Sequence, residues 1–345
     1  MSHEIEAAVL KLREGGVVAF PTETVYGLGA DASNPVAVRR IFDIKGRPAN
    51  HPLIVHLADV SQVPDWARAV PPELHLLARH FWPGPLTVIL PRGNAPLAVT
   101  GGQDSVGVRV PHHPVALALL EAFGGGIAAP SANRFGRVSP TRAIHVAEEL
   151  QGDVDLILEG GDCDVGLEST IVSLVGDEPL LLRPGAIGLP SLEAVLGRTV
   201  STQQQTENIR APGMLESHYA PTTPLYLSSP STLHDRLAAL LTAGKRVALM
   251  RIQSGLGQLS DHPLLLTLAM PDSADTYGKA LYAALRQLDQ SVVDVIVVER
   301  PPIHEVWAAV NDRLRRASHG HQIFSESGTL TSTFQTHQGP GILAP

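Results

Sequence analysis

Gly15-Gly16-Val17-Val18-Ala19-Phe20-Pro21-Thr22-Glu23-Thr24 decides the fold. A glycine pair stops the helix expected at Ile5 to Arg13, whose N-cap is Ser2. The apolar run Val17 to Phe20 reads as a buried strand, and Pro21 ends it. Thr22, Glu23 and Thr24 therefore fall on a loop at a strand's C-terminal end, where open α/β sheets carry their chemistry. The same grammar predicts strands at Pro52 to Leu57, Leu86 to Leu90, Val106 to Val110, Ile127 to Ala129, Leu156 to Leu158 and Thr170 to Leu174. Helices are expected at Val36 to Ile44, Glu73 to Phe81, Val115 to Phe123 and Thr141 to Leu150. The result is α/β architecture with at least six or so strands.

Beyond Leu192 to Leu196 the pattern breaks. Thr199 to Asn208 is a polar, aperiodic run that reads as linker, while Arg210 to Pro224 is proline-rich and holds His218-Tyr219-Ala220-Pro221, too aromatic for an inert spacer. A second alternating set follows, with strands at Leu225 to Leu227, Val247 to Met250 and Val295 to Val298. Helices are expected there at Ser231 to Thr242, Asp275 to Leu288 and Glu305 to Ala317. We divide the chain into a first α/β domain over 1–200, a linker or lid over 201–224, a small Rossmann-like domain over 225–320 and a disordered tail over 321–345. The 345 residues suit two cores.

Hydrophobic residues make up 44% and charged residues 17%, with no apolar run near the ~20 residues of a membrane span. No membrane association is expected, and the acidic start Met1-Ser2-His3-Glu4 is unlike a secretory signal, so the cytoplasm is the expected home. Cys163 is the only cysteine, which rules out an intramolecular disulfide and a thiolate-rich metal site. Its neighbours Asp162 and Asp164 are expected to raise its pKa, and no G-x-S-x-G elbow exists, so nucleophilic catalysis is discounted. A net charge of −8 argues against coating nucleic acid by charge alone.

The chain lacks a Walker-type phosphate loop. Lys45-Gly46-Arg47-Pro48 reads either as a helix C-cap with cations opposing the dipole or as a point charge and a fork gripping a triphosphate. His51 and His56 flank a strand without the partners a metal needs, and His112-His113 reads as a strand cap. Ser131 and Asn133 follow a strand and suit either turn hydrogen bonds or a ligand. Arg109, inward on its strand, demands a buried anion, supplied by a substrate carboxylate or by a structural Asp or Glu. Ser169-Thr170 and Arg183 add further polar groups at strand ends.

These residues resemble a known family, the YrdC-like threonylcarbamoyl-AMP synthases in their two-domain form. The resemblance runs through Phe20 to Gly29, Lys45 to Pro48, Pro52 to His56, Pro83 to Thr87, Arg109 to Pro111, Pro130 to Asn133, Ser139 to Thr141, Glu168 to Thr170 and Leu182 to Gly185. It continues through Gly213-Met214, His218 to Pro221 and Asn311-Asp312-Arg313-Leu314. The resemblance implies a twisted open mixed sheet with a concave basic cleft, plus a smaller Rossmann-like domain. It implies condensation of L-threonine, bicarbonate or carbon dioxide, and ATP into threonylcarbamoyl-AMP and pyrophosphate. The product would pass to a tRNA-modifying transferase complex, with room for weak contact with tRNA itself.

Carried over, Lys45, Arg47, His51, Ser105, Ser131, Asn133, Ser139, Arg183, His218 and Tyr219 would hold ATP. Thr24, His56, Arg109, Ala129 and Ser169 would hold threonine, with Arg109 on its carboxylate. His51 stands where asparagine is usual in this family. Lys45, Arg47 and Arg109 would act by positioning, with no protein nucleophile. Mg²⁺ is expected to arrive with ATP rather than on a protein cage. The competing readings are an RNA-binding module and a different carbamoyl-adenylate enzyme.

Overall fold

The computed structural model describes residues 2–150, 152–202, 209–214, 218–253 and 262–319. The expected tail over 321–345 and residues 203–208 of the polar run lie outside the described residues.

The first nine strands are β1 (Val18–Phe20), β2 (Gly27–Asp31), β3 (Ile54–His56), β4 (Leu86–Pro91), β5 (Ser105–Arg109), β6 (Ile127–Ala128), β7 (Leu156–Ile157), β8 (Thr170–Ser173) and β9 (Leu180–Arg183). They form one mixed sheet in the order β7-β1-β2-β6-β3-β5-β4-β8-β9. Pairs β1·β7, β3·β5 and β4·β8 are parallel and the rest antiparallel. The sequence reading missed β2 and β9. Gly27 and Gly29 interrupt the side-chain alternation of β2, and both lie against the Phe20 ring, so the signal of a strand is replaced by room for a neighbour.

Among the described residues seven α-helices accompany these strands: α1 (His3–Arg13), α2 (Pro35–Lys45), α3 (Pro72–Phe81), α4 (Leu97–Thr100), α5 (Pro114–Phe123), α6 (Ala143–Leu150) and α7 (Leu189–Leu196). Local chemistry sets the ends of α2. The Asn34 side chain accepts from the Val36 and Ala37 amides, Pro35 fills the first turn, and Gly46 at φ 62° ends it in the left-handed region.

Strand alternation gives the sheet two unlike faces. Val55, Val88, Val106, Val108 and Val172 point toward α2, α3 and α7, whose Ile41, Leu77 and Leu192 complete the main core. The residues between them, Ile54, His56, Thr87, Ile89, Gly107, Arg109 and Ile171, occupy the opposite face, as the pairings Ile54↔Gly107, His56↔Arg109, Ile89↔Gly107 and Thr87↔Ile171 require. Helices α1 and α5 cover one end of that face, packing Leu12, Leu119 and Leu120 on Val18, Phe20 and Ile127. Over β4 and β8 the cover is linker: Ile209 and Ala211 sit on Ile89 and Ile171.

The second domain has strands β10 (Leu225–Ser228), β11 (Val247–Ile252), β12 (Leu265–Met270) and β13 (Val295–Glu299), all parallel in the order β10-β13-β11-β12. Strand β12, absent from the sequence reading, lies at an edge and stays partly exposed. Helix α8 (Pro230–Thr242) covers one face, and α9 (Ala274–Asp289) and α10 (Ala308–Ala317) cover the other. The cluster under α9 and α10 also takes in Val25, Val138 and Leu167 of the first domain and Tyr219 of the linker, so the two domains share a core at their junction.

A methyl group at Gly29 would meet Phe20 at 2.7 Å and Ile127 at 2.8 Å. Gly29→Ala should cost about 1 to 3 kcal/mol by overpacking. The urea midpoint should fall with an unchanged slope, and an unaltered midpoint would contradict this packing.

Candidate functional site

Four loops meet on the helix-free part of the sheet face. Leaving β1, Thr22 closes a short turn: its hydroxyl donates to Val25 O at 2.6 Å and accepts from the Thr24 and Val25 amides, each at 3.2 Å. The turn buries Thr24 against Thr22, hydroxyl to hydroxyl at 2.8 Å, and sends Glu23 toward β5. There Glu23 Oε1 stands 2.7 Å from Arg109 Nη2, both side chains 5% exposed. The anion that an inward arginine demanded is thus a structural glutamate. Arg109 Nε donates to Gly84 O at 3.2 Å. The Glu23 contact is close but off hydrogen-bond alignment, leaving both carboxylate oxygens and Arg109 Nη2 without a hydrogen bond.

The remaining cations are held by backbone carbonyls. Lys45 Nζ donates to Ser131 O at 2.6 Å and to Asn133 O. Arg47 donates to Pro52 O at 2.9 Å and lies 6.0 Å from the Phe135 ring centre. Arg183 donates through Nε to Ser169 O, through Nη2 to the Ser169 hydroxyl and through Nη1 to Pro212 O, at 3.0, 3.1 and 2.9 Å. Ser169 also shares a 2.8 Å contact with the Thr87 hydroxyl.

These groups enclose a cavity of about 50 Å³. Of the residues singled out in the sequence, Thr24, Arg47, His56, Arg109, Ala129, Ser131, Ser169, Arg183, His218 and Tyr219 line it. Five others stand off its wall. Lys45 is behind Ser131. Asn133 uses its amide to donate to Arg134 O and Arg137 O, the turn role weighed from sequence. Ser139 donates to Glu168 Oε1 at 2.6 Å. Ser105 lines a smaller neighbouring cavity with Arg210 and Pro212. His51 is half-buried, with its ring centre 5.5 Å from that of Phe135.

Sequence reasoning gave no site role to Glu168, Thr22, Pro212 or Gly213, which also line this wall, although it put Thr22 on the strand-end loop. Gly213 carried a usable signal, since Pro-Gly marks a turn. It sits at φ 79°, and a methyl group there would fall 2.1 Å from the Tyr219 hydroxyl.

Burial governs the titration of the site. It pushes Lys45 well below the usual lysine range, helped by Arg47, and pushes Arg47 down to about 10, helped by Arg183 against the Tyr219 ring's opposite effect. His56 falls to about 3 through burial and then Arg109. His218 falls to about 3 through burial, opposed by Glu168 and reinforced by Arg47, Lys45 and Arg183. Cys163 rises to about 12, but chiefly by burial and then Glu23; Asp162 adds less, and Asp164, invoked from sequence, is not among the leading causes.

Buried polar atoms without hydrogen-bond partners gather here: Arg47 Nε, His56 Nδ1, Asn133 Oδ1, His218 Nδ1 and the Tyr219 hydroxyl. Native interiors leave few such groups, so their concentration marks a place built for a polar ligand. Among the described residues no cluster of three His, Cys, Asp or Glu forms a metal cage. The cations are buried, from 3% to 8% exposed, and so do not make the surface stripe that nucleic acid needs.

Both His56 and His218 stay neutral in the folded chain, while their unfolded counterparts titrate near 6.5. Above that pH neither state is protonated and they contribute nothing. Below it the unfolded chain binds protons first, so stability falls with acid from about 6.5 toward 3, at roughly 1.4 kcal/mol per pH unit for each histidine. A urea series from pH 7 to 4.5 should show a shallower loss for His56→Gln than for the parent. Equal slopes would remove His56 from this account.

Residues 11–185 match the Sua5/YciO/YrdC family model described as "Telomere recombination", and residues 187–319 match the model "Threonylcarbamoyl-AMP synthase, C-terminal domain". The threonylcarbamoyl-AMP synthase of Bacillus subtilis is 42% identical over 327 residues, 93% of this chain and 94% of that one. The enzyme of that name from Pyrococcus abyssi is 40% identical over 331 residues, 93% of this chain and 95% of that one. The crystal structure of P. abyssi Sua5 complexed with L-threonine superposes with a TM-score of 0.84 at 40% identity, covering 91% of this chain and 94% of that one. With both domain models matched in order along one chain, this protein belongs to the Sua5/YciO/YrdC family, in the two-domain form of the threonylcarbamoyl-AMP synthases.

Proposed function

We propose that this chain is a nucleotidyltransferase that condenses L-threonine, bicarbonate or carbon dioxide, and ATP into threonylcarbamoyl-AMP and pyrophosphate. The observation that carries the reading is the charge of the cavity: Arg47, Arg109 and Arg183 converge on one small space beside the hydroxyls of Thr24, Ser131 and Ser169. A polyanion and an amino-acid carboxylate answer that inventory together. The L-threonine in the P. abyssi relative's structure supports the amino acid.

In this reading Arg109, steadied by Glu23 and Gly84, takes the threonine carboxylate, and Arg47, Arg183 and the Lys45-held Ser131–Asn133 turn take the nucleotide. The amine attacks carbon dioxide and loses its proton, giving a carbamate. A carbamate oxygen then attacks the α-phosphorus as the bond to pyrophosphate breaks. No protein nucleophile is needed, consistent with Cys163 buried and held as the thiol. Acceleration comes from positioning and from cations fixed before the charge moves. Mg²⁺ would supply further neutralisation on the phosphates.

At about 50 Å³ the cavity is far below the roughly 300 Å³ or more of sites that enclose organic ligands. The linker that carries His218 and Tyr219 therefore acts as a lid, lifting to admit ATP and closing to exclude water. We place the reaction in the cytoplasm, its product consumed by a transferase that acylates the adenosine next to a tRNA anticodon.

Incubation with ATP, labelled bicarbonate and single amino acids should yield a labelled adenylate and pyrophosphate with threonine. The absence of both with every amino acid would overturn the reading. Arg109→Ala should lose threonine binding, weakening it by about a hundredfold, while ATP binding is largely kept. Equal weakening of both ligands by calorimetry would show that Arg109 does not hold the amino acid.

A further inference from the structure

We propose that the second domain completes the site: Arg313 and Tyr282 are positioning residues that hold the Glu168 carboxylate and, through it, the nucleotide wall. The inference rests on the activity proposed above. Glu168, just before β8, lines the cavity beside Ser169. One of its oxygens accepts from the Ser139 hydroxyl at 2.6 Å. The other accepts from the Tyr282 hydroxyl at 2.8 Å and from Arg313 Nε at 2.9 Å, groups on α9 and α10. Arg313 then donates through Nη2 to Glu168 O at 3.3 Å and through Nη1 to Pro184 O at 3.0 Å, spanning the segment that joins Ser169 to Arg183. Its guanidinium lies 5.3 Å from the Tyr219 ring centre, and the Tyr282 ring lies 5.8 Å from that same ring. Two side chains of the second domain thus touch a carboxylate of the cavity wall and the aromatic ring that closes it.

Simple glue between domains would not need this arrangement. Arg313 is wholly buried, and a buried charge is a poor way to gain stability when an apolar contact would serve. Nor is Glu168 isolated in its surroundings. Arg313 faces it from α10, its Nη1 also donating to Asp312 at 2.9 Å, with Tyr282 from α9, Arg183 from β9, Lys45 from α2, and His218 and Tyr219 from the linker. Burial alone would push its carboxyl up; Arg313, then Arg183 and the Ser139 hydroxyl, outweigh burial and hold it below the usual range. Without Arg313 the burial effect loses its largest opponent. Glu168 would then take a proton as pH falls through the working range, and the acceptor that fixes Ser139 and Tyr282 would weaken.

The test is the pH dependence of pyrophosphate release by the full chain with ATP and threonine. Arg313→Met should lower kcat at pH 6 by about tenfold and recover most of it toward pH 9, an acid limb the parent lacks. Adding Glu168→Gln should abolish that limb, whatever rate remains, because no carboxylate is left to titrate. Arg313→Lys should lie between parent and Met. If Arg313→Met fails to fold by circular dichroism, Tyr282→Phe decides, with kcat lowered a few-fold and a weaker limb in the same place. Profiles parallel to the parent in every folded variant, or a limb that survives Glu168→Gln, would overturn the proposal. A parent chain that releases no pyrophosphate with any amino acid would instead overturn the activity on which it rests.

Discussion

Four cations, Lys45, Arg47, Arg109 and Arg183, are buried around one stretch of sheet face, and the first-domain carboxylates that act on them are Glu23 at Arg109, Glu168, and Glu149 at Lys45. Apart from the Ser169 hydroxyl on Arg183, the rest of their hydrogen bonding is to carbonyls: Ser131 and Asn133 for Lys45, Pro52 for Arg47, Gly84 for Arg109, Ser169 and Pro212 for Arg183. Carbonyl dipoles fix where a cation stands without cancelling its charge. The cluster is therefore rigid and still positive, and the lowered Lys45 and Arg47 record the strain of keeping it so. An anionic ligand relieves that strain, and the cations already stand where they would meet it.

Everything else in the first domain can be read as what makes such a cluster tolerable. Strand alternation gives one face to valines and to helices α2, α3 and α7, which supply the apolar core. The other face, free of helices over its middle, is where arginine and histidine can point inward side by side, His56 next to Arg109. A face left polar must be shielded from water if its charges are to act strongly. That shield is the linker and the second domain rather than another helix of the first. The separation matters: cover that belongs to a different folding unit can move without unpacking the main core.

The local half of this design was legible in the sequence. Asn34-Pro35 and Lys45-Gly46 bracket α2 by capping chemistry that spans a few residues, and the loop after Phe20-Pro21 announced its polar end. Arg109 announced a need for an anion, though Glu23 and a substrate satisfied that need equally well on paper. What stayed hidden was set by distance along the chain. Glu168 reads as an ordinary loop residue until Arg313, 145 positions away, is seen against it. Lys45 read as a hand for phosphate or a helix cap, and only the fold shows it bracing the turn at Ser131 and Asn133 from behind. Strand β2 was lost because its glycines make room for Phe20, so packing need erased the pattern by which strands are recognised.

Tyr219 joins these levels. It is the one described residue other than glycine with a positive φ, 62°, a conformation that costs a non-glycine residue about 1 to 2 kcal/mol. Its ring is held between Tyr282 and Arg313, and its hydroxyl, facing Gly213, has no hydrogen-bond partner. A strained backbone and an unpaired buried hydroxyl both oppose the closed position, while ring contacts with the second domain favour it. Opposed terms of that kind leave a small net difference between closed and open arrangements. If the linker is the lid we propose, that balance lets it open for a nucleotide at modest cost, and lets the second domain, through Arg313 and Tyr282, set how firmly it shuts.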